Sequence, residues 1–472
     1  MNMVAKPIDF KRMRQDAVDI FYAGLQAVDP VAAIQRTCRI DGQVFVMKDK
    51  RYDLSQYRHV YVIGAGKASA AMASALEDML GDIITQGLIN VKYGHLRDLE
   101  QVELVEAGHP VPDENGLNGA DAMLRLAEKA QKDDLVICLI SGGASALLPS
   151  PAAGLTLADK QETIRVLLAC GAPIHDINTI RKHISRIKGG RLGLACHPAT
   201  VVALILSDVV GDDLDIIASG PTVPDPGTFQ QCMDIVSKYA LENLLPKPVM
   251  RHLQNGADGN VAETPKPGDV VFKNVRNILI GNNYQALEAS SRHAAALGYT
   301  PLILSSMFEG ETKDLALFHA AVIKEIAASR HPVAPPACIL SGGETTVTLS
   351  GKGLGGRNQE FVLASALYLE GLEKFVLLSA GTDGTDGPTD AAGALMDAAT
   401  LERAKALHLN VGDYLERNDS YHFFQQLEDL FFTGPTHTNV MDLRIILIGE
   451  NRSRKPERVK PRDNFLQSGL RR

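Results

Sequence analysis

Residues 59–76 read HVYVIGAGKASAAMASAL. Val60 to Gly64 is mostly apolar and β-branched, which predicts a buried strand of a parallel sheet. Gly64 and Gly66 break it. From Ala68 onward the run of Ala, Met and Leu predicts a helix packed closely on that sheet. A strand, a glycine turn and a helix start form an anion site, because unpaired N–H groups and the positive end of the helix dipole face one spot. Lys67 adds a full charge at the joint. The plainer reading is a tight turn with a solvated lysine.

Two standard nucleotide loops fail on spacing. A P-loop needs G-x-x-x-x-G-K-[ST], whereas Tyr61 lies five before Gly66 and Ala68 follows Lys67. A dinucleotide fingerprint needs a third glycine and an acid about 20 residues on. Here Ser69 takes the glycine's place, and the next strand, near 87–91, offers Asn90 and Lys92 but no acid.

The same strand–turn–helix pattern repeats outward from this segment. Strands are expected at 60–64, 87–91, 102–106, 134–140 and 201–207, with helices at 67–79, 115–131, 157–171, around 178–189, and 229–240. One or two lead helices over 10–36 and a hairpin-like segment over 42–52 precede them. This alternation predicts a doubly wound parallel sheet. A stretch rich in Pro, Gly and Asn, 241–268, reads as a linker or excursion. A second set follows, with strands at 275–280, 301–305, 337–341, 346–349, 374–379 and 443–448 and helices at 283–297, 311–329, 357–370 and 398–407. The expected fold is α/β with two domains, 1–240 and 269–449, each a mostly parallel or mixed sheet flanked by helices. The last residues, 451–472, hold eight Lys/Arg against two Asp/Glu, so a disordered basic tail is expected over 450–472.

The 472 residues suffice for a sizeable core. A net charge of −8 gives no reason to expect a nucleic-acid partner. The N-terminus has no apolar core of a signal peptide, and runs such as Val201–Leu206 are too short to cross a bilayer, so no membrane partner is expected. Six scattered cysteines, without C-x-x-C or a Cys/His cluster, read as reduced thiols of a cytoplasmic protein.

Chemistry in open α/β sheets gathers at the carboxyl ends of the strands. Besides Gly64–Ser69, four loops there carry candidates. Ser141, Gly142, Gly143, Ala144 and Ser145 could form an anion nest for a carboxylate or phosphate. Asp208, at a strand end, suits a metal ligand or base. The run 351–360, GKGLGGRNQE, implies backbone close to a ligand or a mobile flap. In it Arg357 opens a helix where the dipole disfavours a cation, which hints at an anion in front. Asp383, Asp386 and Asp390 follow a further strand end without the Ca²⁺-loop spacing of an EF-hand. Mg²⁺, which needs one or two carboxylates plus phosphates, fits them better. Loops around His109 and His437 could contact substrate. LISGGASALL (139–148) and ILSGGETTVTL (339–349) echo one another, by chance or as two loops facing one site.

Several anion-cradling loops, a Lys, an Arg and Mg²⁺-type carboxylates suit phosphoryl transfer, which needs charge neutralisation and positioning. The segments VIGAGKASAAMA, GHPVPDENG, SGGASALLPSPAAGLTL, NTIRKHISRIKGGRLG, LSDVVGDDLDIIASGPTVPDPGTF, SGGETTVTLSGKGLGGRNQE, SAGTDGTDGPTDAAGA and FFTGPTHTNVMDLRI occur in order over about 10–449. Together they resemble the class II glycerate 2-kinases, the family with a C-terminal MOFRL domain, here about 335–449. The resemblance implies ATP- and Mg²⁺-dependent phosphorylation of D-glycerate on its 2-hydroxyl, with the active site in the cleft between two domains. It puts the catalytic lysine on Lys67, the arginine on Arg357 and the acid on Asp208. By loop position, 141–145 is assigned to substrate, Asp383 and Asp386 to metal, and Gly353, Gly355, Gly356 and Asn282 to the nucleotide. The expected partner is a small molecule, with a homodimer left open. Some family members carry the name hydroxypyruvate reductase, so an NAD(P)H oxidoreductase is the main rival, and a sugar-acid-binding regulator is a third reading.

Overall fold

The computed structural model describes residues 10–450. Most of the expected basic tail therefore lies outside the described residues.

The hairpin-like segment is a small antiparallel sheet of three strands, β1 Cys38–Asp41, β2 Val44–Met47 and β3 Lys50–Asp53. Six parallel strands follow: β4 His59–Ala65, β5 Gln86–Lys92, β6 Val102–Ala107, β7 Asp134–Ile140, β8 Thr200–Leu206 and β9 Val275–Gly281. Their order is β6-β5-β4-β7-β8-β9. The central strands β4, β7 and β8 are buried almost from end to end, and apolar after their first residue, because helices cover both faces. Strand order reverses between β4 and β7, so a crevice opens beyond their carboxyl ends. That topology sets the loops at 64–69 and 141–145 side by side.

The second sheet is mixed. It contains β10 Thr300–Phe308, β11 Ala337–Gly343, β12 Phe375–Gly381, β13 Gly393–Asp397, β14 Leu430–Phe431 and β15 Asp442–Ile448, in the order β10-β11-β15-β12-β13-β14. Of its neighbouring pairs among the described residues, β10–β11 alone is parallel. Because β15 is antiparallel to β11 and β12, its first residue, Asp442, pairs with Gly343 and Gly381 at their last residues.

The structure corrects several boundaries. The strand expected at 275–280 to open the second set is β9, the edge of the first sheet. The stretch 241–268 is no bare linker. It holds helix Lys247–Ala257, whose Val249 and Leu253 join an apolar cluster with Phe229 and Ile180. Residues 346–349 form no strand; Thr346 makes a single bridge with Glu311. The helix expected around 178–189 ends at His183. Helix Phe10–Ala27, counted with residues 1–240, packs on the second sheet. Its Arg14 pairs with Asp397 and Asp429, and its Ile20 carbonyl accepts from Ser290 Oγ at 3.0 Å. One apolar cluster accordingly runs from Val62 and Ile137 through Ile20 and Phe21 to Leu378 and Ile445, joining both sheets.

Candidate active site

Gly64 and Gly66 are required by close approach. A Cβ on Gly64 would lie 2.0 Å from the Leu139 carbonyl oxygen, and one on Gly66 would lie 2.0 Å from Ser141 Oγ. The two loops are stitched together. Lys67 N–H donates to the Gly142 carbonyl at 2.9 Å, and Ala68 N–H donates to Ser141 Oγ at 3.0 Å. Ser141 is buried and its hydroxyl also meets Ser69 Oγ at 3.1 Å. Ser141 therefore locks the loop, its hydroxyl engaged by Ala68 N–H and by Ser69 Oγ. The N–H of Gly143 faces Asp208, and that of Ala144 returns to the Ser141 carbonyl at 3.2 Å. The segment 141–145 is thus largely satisfied internally and is less of an open nest than its composition suggests.

Two cations and four carboxylates converge at these strand ends. Lys67 Nζ lies 3.3 Å from Asp383 Oδ2, which joins the end of β4 to the end of β12. Arg357 makes a two-pronged contact with the fully buried Asp442, Nε to Oδ2 at 2.7 Å and Nη2 to Oδ1 at 3.0 Å. Its third nitrogen, Nη1, reaches Glu344 at 2.8 Å. Against the desolvation that burial imposes, Asp442 and Glu344 raise the guanidinium pKa, so Arg357 is a permanent cation. Glu344 is itself raised, first by burial and then by Asp442 against the pull of Arg357 and Lys67. Asp208 is raised to about 6, first by burial and then by Glu344, with Lys67 pulling the other way. Its carboxylate touches the loop closely, since a Cβ on Gly142 would lie 2.4 Å from Asp208 Oδ2 and 3.1 Å from Asn439 Nδ2.

Lys67, Arg357 and Asp208, predicted from separate loops, are therefore brought into one electrostatic cluster. Glu344 and Asp442 complete it and were missed. Glu344 had a partial signal, because it lies just beyond the strand expected at 337–341; in the structure it directly follows β11, Ala337–Gly343. Both histidine loops reach the site. His109 lies beside Gly143, and burial followed by Lys67 lowers it to about 4, so it is neutral at pH 7. His437 meets His95 edge to face at 6.0 Å, and the His95 ring bonds the Lys67 carbonyl oxygen at 2.9 Å. A cavity of about 900 Å³ opens beside the cluster, bounded by Asp208, His109 and Gly143 on the near side.

Other predicted residues have different work. Asp386 is buried and accepts from the N–H groups of Asn358 at 3.0 Å and Gln359 at 2.8 Å. It caps helix Arg357–Leu369 and is not free as a metal ligand; burial raises it to about 6. Asn282 caps helix Asn283–Ala296 through Gln285 N–H at 2.9 Å. The glycines at 353, 355 and 356 approach other protein, not an open site. Added Cβ atoms would strike Asp419, Ser420 Oγ and Asp386. Among the described residues no group of three or more His, Cys, Asp or Glu is set to bind a metal ion.

A family model described as a domain of unknown function, DUF4147, matches residues 16–254, and a MOFRL family model matches 337–442. The chain is 40% identical to the glycerate 2-kinase of Pyrococcus horikoshii over 94% of its own length and 99% of that protein. The chain belongs to the MOFRL-domain glycerate kinase family. The solved structure of the glycerate kinase of Thermotoga maritima superimposes with a TM-score of 0.82 at 38% identity, covering 93% of this chain and all of that one. A family member of Agrobacterium vitis, 45% identical over 82% of this chain and 99% of its own length, carries a hydroxypyruvate reductase name. The geometry here gives that name no support. Asn90, near the end of β5 where a ribose-binding acid would stand, is buried and donates to the Gly116 and Leu147 carbonyls at 3.0 and 2.7 Å.

Proposed function

We propose that this chain is an ATP-dependent D-glycerate kinase acting on the 2-hydroxyl, with its active site where Lys67, Asp208, Glu344, Arg357 and Asp383 meet. The observation that carries the reading is this convergence: Lys67 directly, and Arg357 through Glu344, act beside a strand-end carboxylate, Asp208, whose pKa of about 6 leaves it ionised, yet basic, at neutral pH. Asp208 orients the 2-hydroxyl and takes its proton as the oxygen bonds to the terminal phosphorus. The bond from that phosphorus to the bridging oxygen of ADP breaks in the same displacement. Lys67 and Arg357 offset charge on the moving phosphoryl group and on the glycerate carboxylate. Their present partners, Asp383 and Glu344, hold them in place until a substrate anion arrives.

Mg²⁺ fits the hard oxygen donors of Asp383 and Glu344, because this ion needs only one or two protein carboxylates beside substrate phosphates. When bound it would neutralise phosphate charge. A homodimer and a cytoplasmic location remain parts of the proposal drawn from the sequence.

The test is purified protein with D-glycerate, ATP and Mg²⁺, scoring ADP release and identifying the product by ³¹P NMR, beside hydroxypyruvate with NADH. ADP with 2-phosphoglycerate is expected. NADH oxidation without ADP formation would overturn the proposal in favour of the reductase.

A further inference from the structure

A second group of cations lies on the far side of segment 141–145, and among the described residues none of them is paired with an acid. Lys160, on helix Leu157–Ala169, is 4% exposed, and its ammonium has no hydrogen-bond partner. Arg181, on helix Ile174–His183, donates to the neutral Asn178 Oδ1 at 2.8 Å. Lys188 is fully buried and donates to Ser145 at 2.7 Å (carbonyl) and 3.2 Å (Oγ). Ser145 Oγ meets Ser219 Oγ at 3.0 Å, and Ser219 donates to Asn178 Oδ1 at 3.2 Å, so neutral groups chain Arg181 to Lys188. Asn178 Nδ2 is buried and also unpartnered. The three cations feel each other's charge: burial and then Arg181 lower Lys160 to about 7, while burial, Lys160 and Arg181 push Lys188 well below its ordinary value. Buried cations without acids are costly and rare outside functional sites.

Lys160, Arg181 and Ser145 line the cavity whose near side is Asp208 and Gly143. Its remaining wall carries an apolar patch, Val111, Ile164 and Leu168, beside the polar Gln161, Glu162 and Arg165; Val111 and Leu168 are more than half exposed. Glu162 is taken by Arg165 at 2.6 Å and offers the cluster no counter-charge. A cavity that is cationic at one end, apolar at another and open to the catalytic carboxylate matches one ligand chemistry, a nucleoside polyphosphate.

We propose that this cavity is the nucleotide site, with the phosphate chain against Lys160, Arg181 and the Lys188–Ser145 pair, the base against Val111, Ile164 and Leu168, and the terminal phosphate toward Asp208. The assignment rests on the kinase reading above, and it moves the nucleotide away from Gly353, Gly355, Gly356 and Asn282.

The test is titration calorimetry of the full chain with ATP, AMP and inorganic phosphate, with steady-state kinetics, for wild type, Lys160→Met and Arg181→Gln. Loss of a charge-assisted phosphate contact predicts that each variant weakens ATP about tenfold or more and AMP less, with the D-glycerate KM within about twofold of wild type. Arg181 is only partly buried, so its variant tests the site should Lys160→Met fail to fold. Unchanged ATP affinity with a raised D-glycerate KM would overturn the proposal and give the cluster to the acceptor. Inorganic phosphate binding as tightly as ATP, and lost in the variants, would overturn it in favour of a lone phosphate site. ATP binding that the variants weaken, in a protein that does not turn over D-glycerate, would uphold the site while overturning the kinase reading.

Discussion

Segment 141–145 separates two groups of cations that are held in opposite ways. On one side Lys67 and Arg357 are each matched to carboxylates, Asp383 for the first and Asp442 with Glu344 for the second. On the other, Lys160, Arg181 and Lys188 meet only neutral groups or nothing. A cation held by acids is positioned before substrate arrives, and its effect is realised when charge shifts in the transition state. A cation without an acid has an unmet demand for an anion, and its effect appears as affinity. The first group should therefore govern turnover and the second should govern nucleotide binding.

The strongest way to break this contrast is to remove a paired cation. Lys67→Ala and Arg357→Ala should each lower kcat by about 10³-fold, in the range of lost oxyanion donors and arginine fingers. The ATP dissociation constant should change little. Initial rates at saturating substrates, beside calorimetric ATP titration, decide it. Near-wild-type turnover in either variant would remove that residue from the chemistry.

Asp208→Asn should cost somewhat less, about 10²-fold in kcat, the lower end for a general base. The pH profile sharpens the point. Asp208 must be ionised to accept a proton, and its pKa stands at about 6. Wild-type kcat/KM should fall as pH drops below about 6, roughly tenfold per unit, and the residual activity of the Asn variant should lack that limb. An acid limb that persists in the variant belongs to another group.

The sequence made one of these regions legible and left the other hidden. Lys67 and Asp208 stand at the carboxyl ends of parallel strands buried on both faces, where apolar runs mark the strand and the next polar residue marks the site. Asp442 lies at the amino end of its strand. It reaches the site only because β15 runs antiparallel to β11 and β12, which no local pattern reveals. Hydrophobic periodicity predicted the strand at 275–280 but carried no information on which sheet it joins. The Pro- and Gly-rich composition of 241–268 masked an amphipathic helix that depends on Phe229 for its partner. Lys160 and Lys188 sit on a helix and in a turn, where spacing does not separate a buried lysine from a solvated one. Only the packing of the two helices identifies them.

That buried lysine has a pH signature in the protein without nucleotide. The Lys160 pKa is lowered from 10.5 to about 7 in the folded state. Between those values the unfolded chain binds the proton and the folded one does not, so stability rises with pH across about 7 to 10.5 and the penalty is fully present below 7. At roughly 1.4 kcal/mol per pKa unit the term is a few kcal/mol. Urea unfolding at pH 7, 8 and 9 should show wild type gaining on Lys160→Met less favourably at pH 7 than at pH 9, with the Met variant the more stable at pH 7. Parallel curves would mean that the ammonium finds a partner, and the contrast between the two cation groups would lose its clearest member.

The smallest effect concerns the glycine-rich run ahead of Arg357. If these glycines served a nucleotide, a methyl group there would raise the ATP KM. The geometry gives them another reason. A Cβ on Gly355 would lie 2.2 Å from Ser420 Oγ, and Ser420 is itself buried with little room to retreat. Gly355→Ala should therefore destabilise by about 1–3 kcal/mol through overpacking. It should leave the ATP KM within about twofold, since no phosphate contact is lost. Arg357, two residues on, would feel the displaced loop through Asp386, which caps the start of its helix, so kcat should fall modestly and in step with stability. A large rise in the ATP KM at unchanged urea midpoint would reverse the assignment. The nucleotide would then lie against the paired cations, and the unpaired ones would need a different anion.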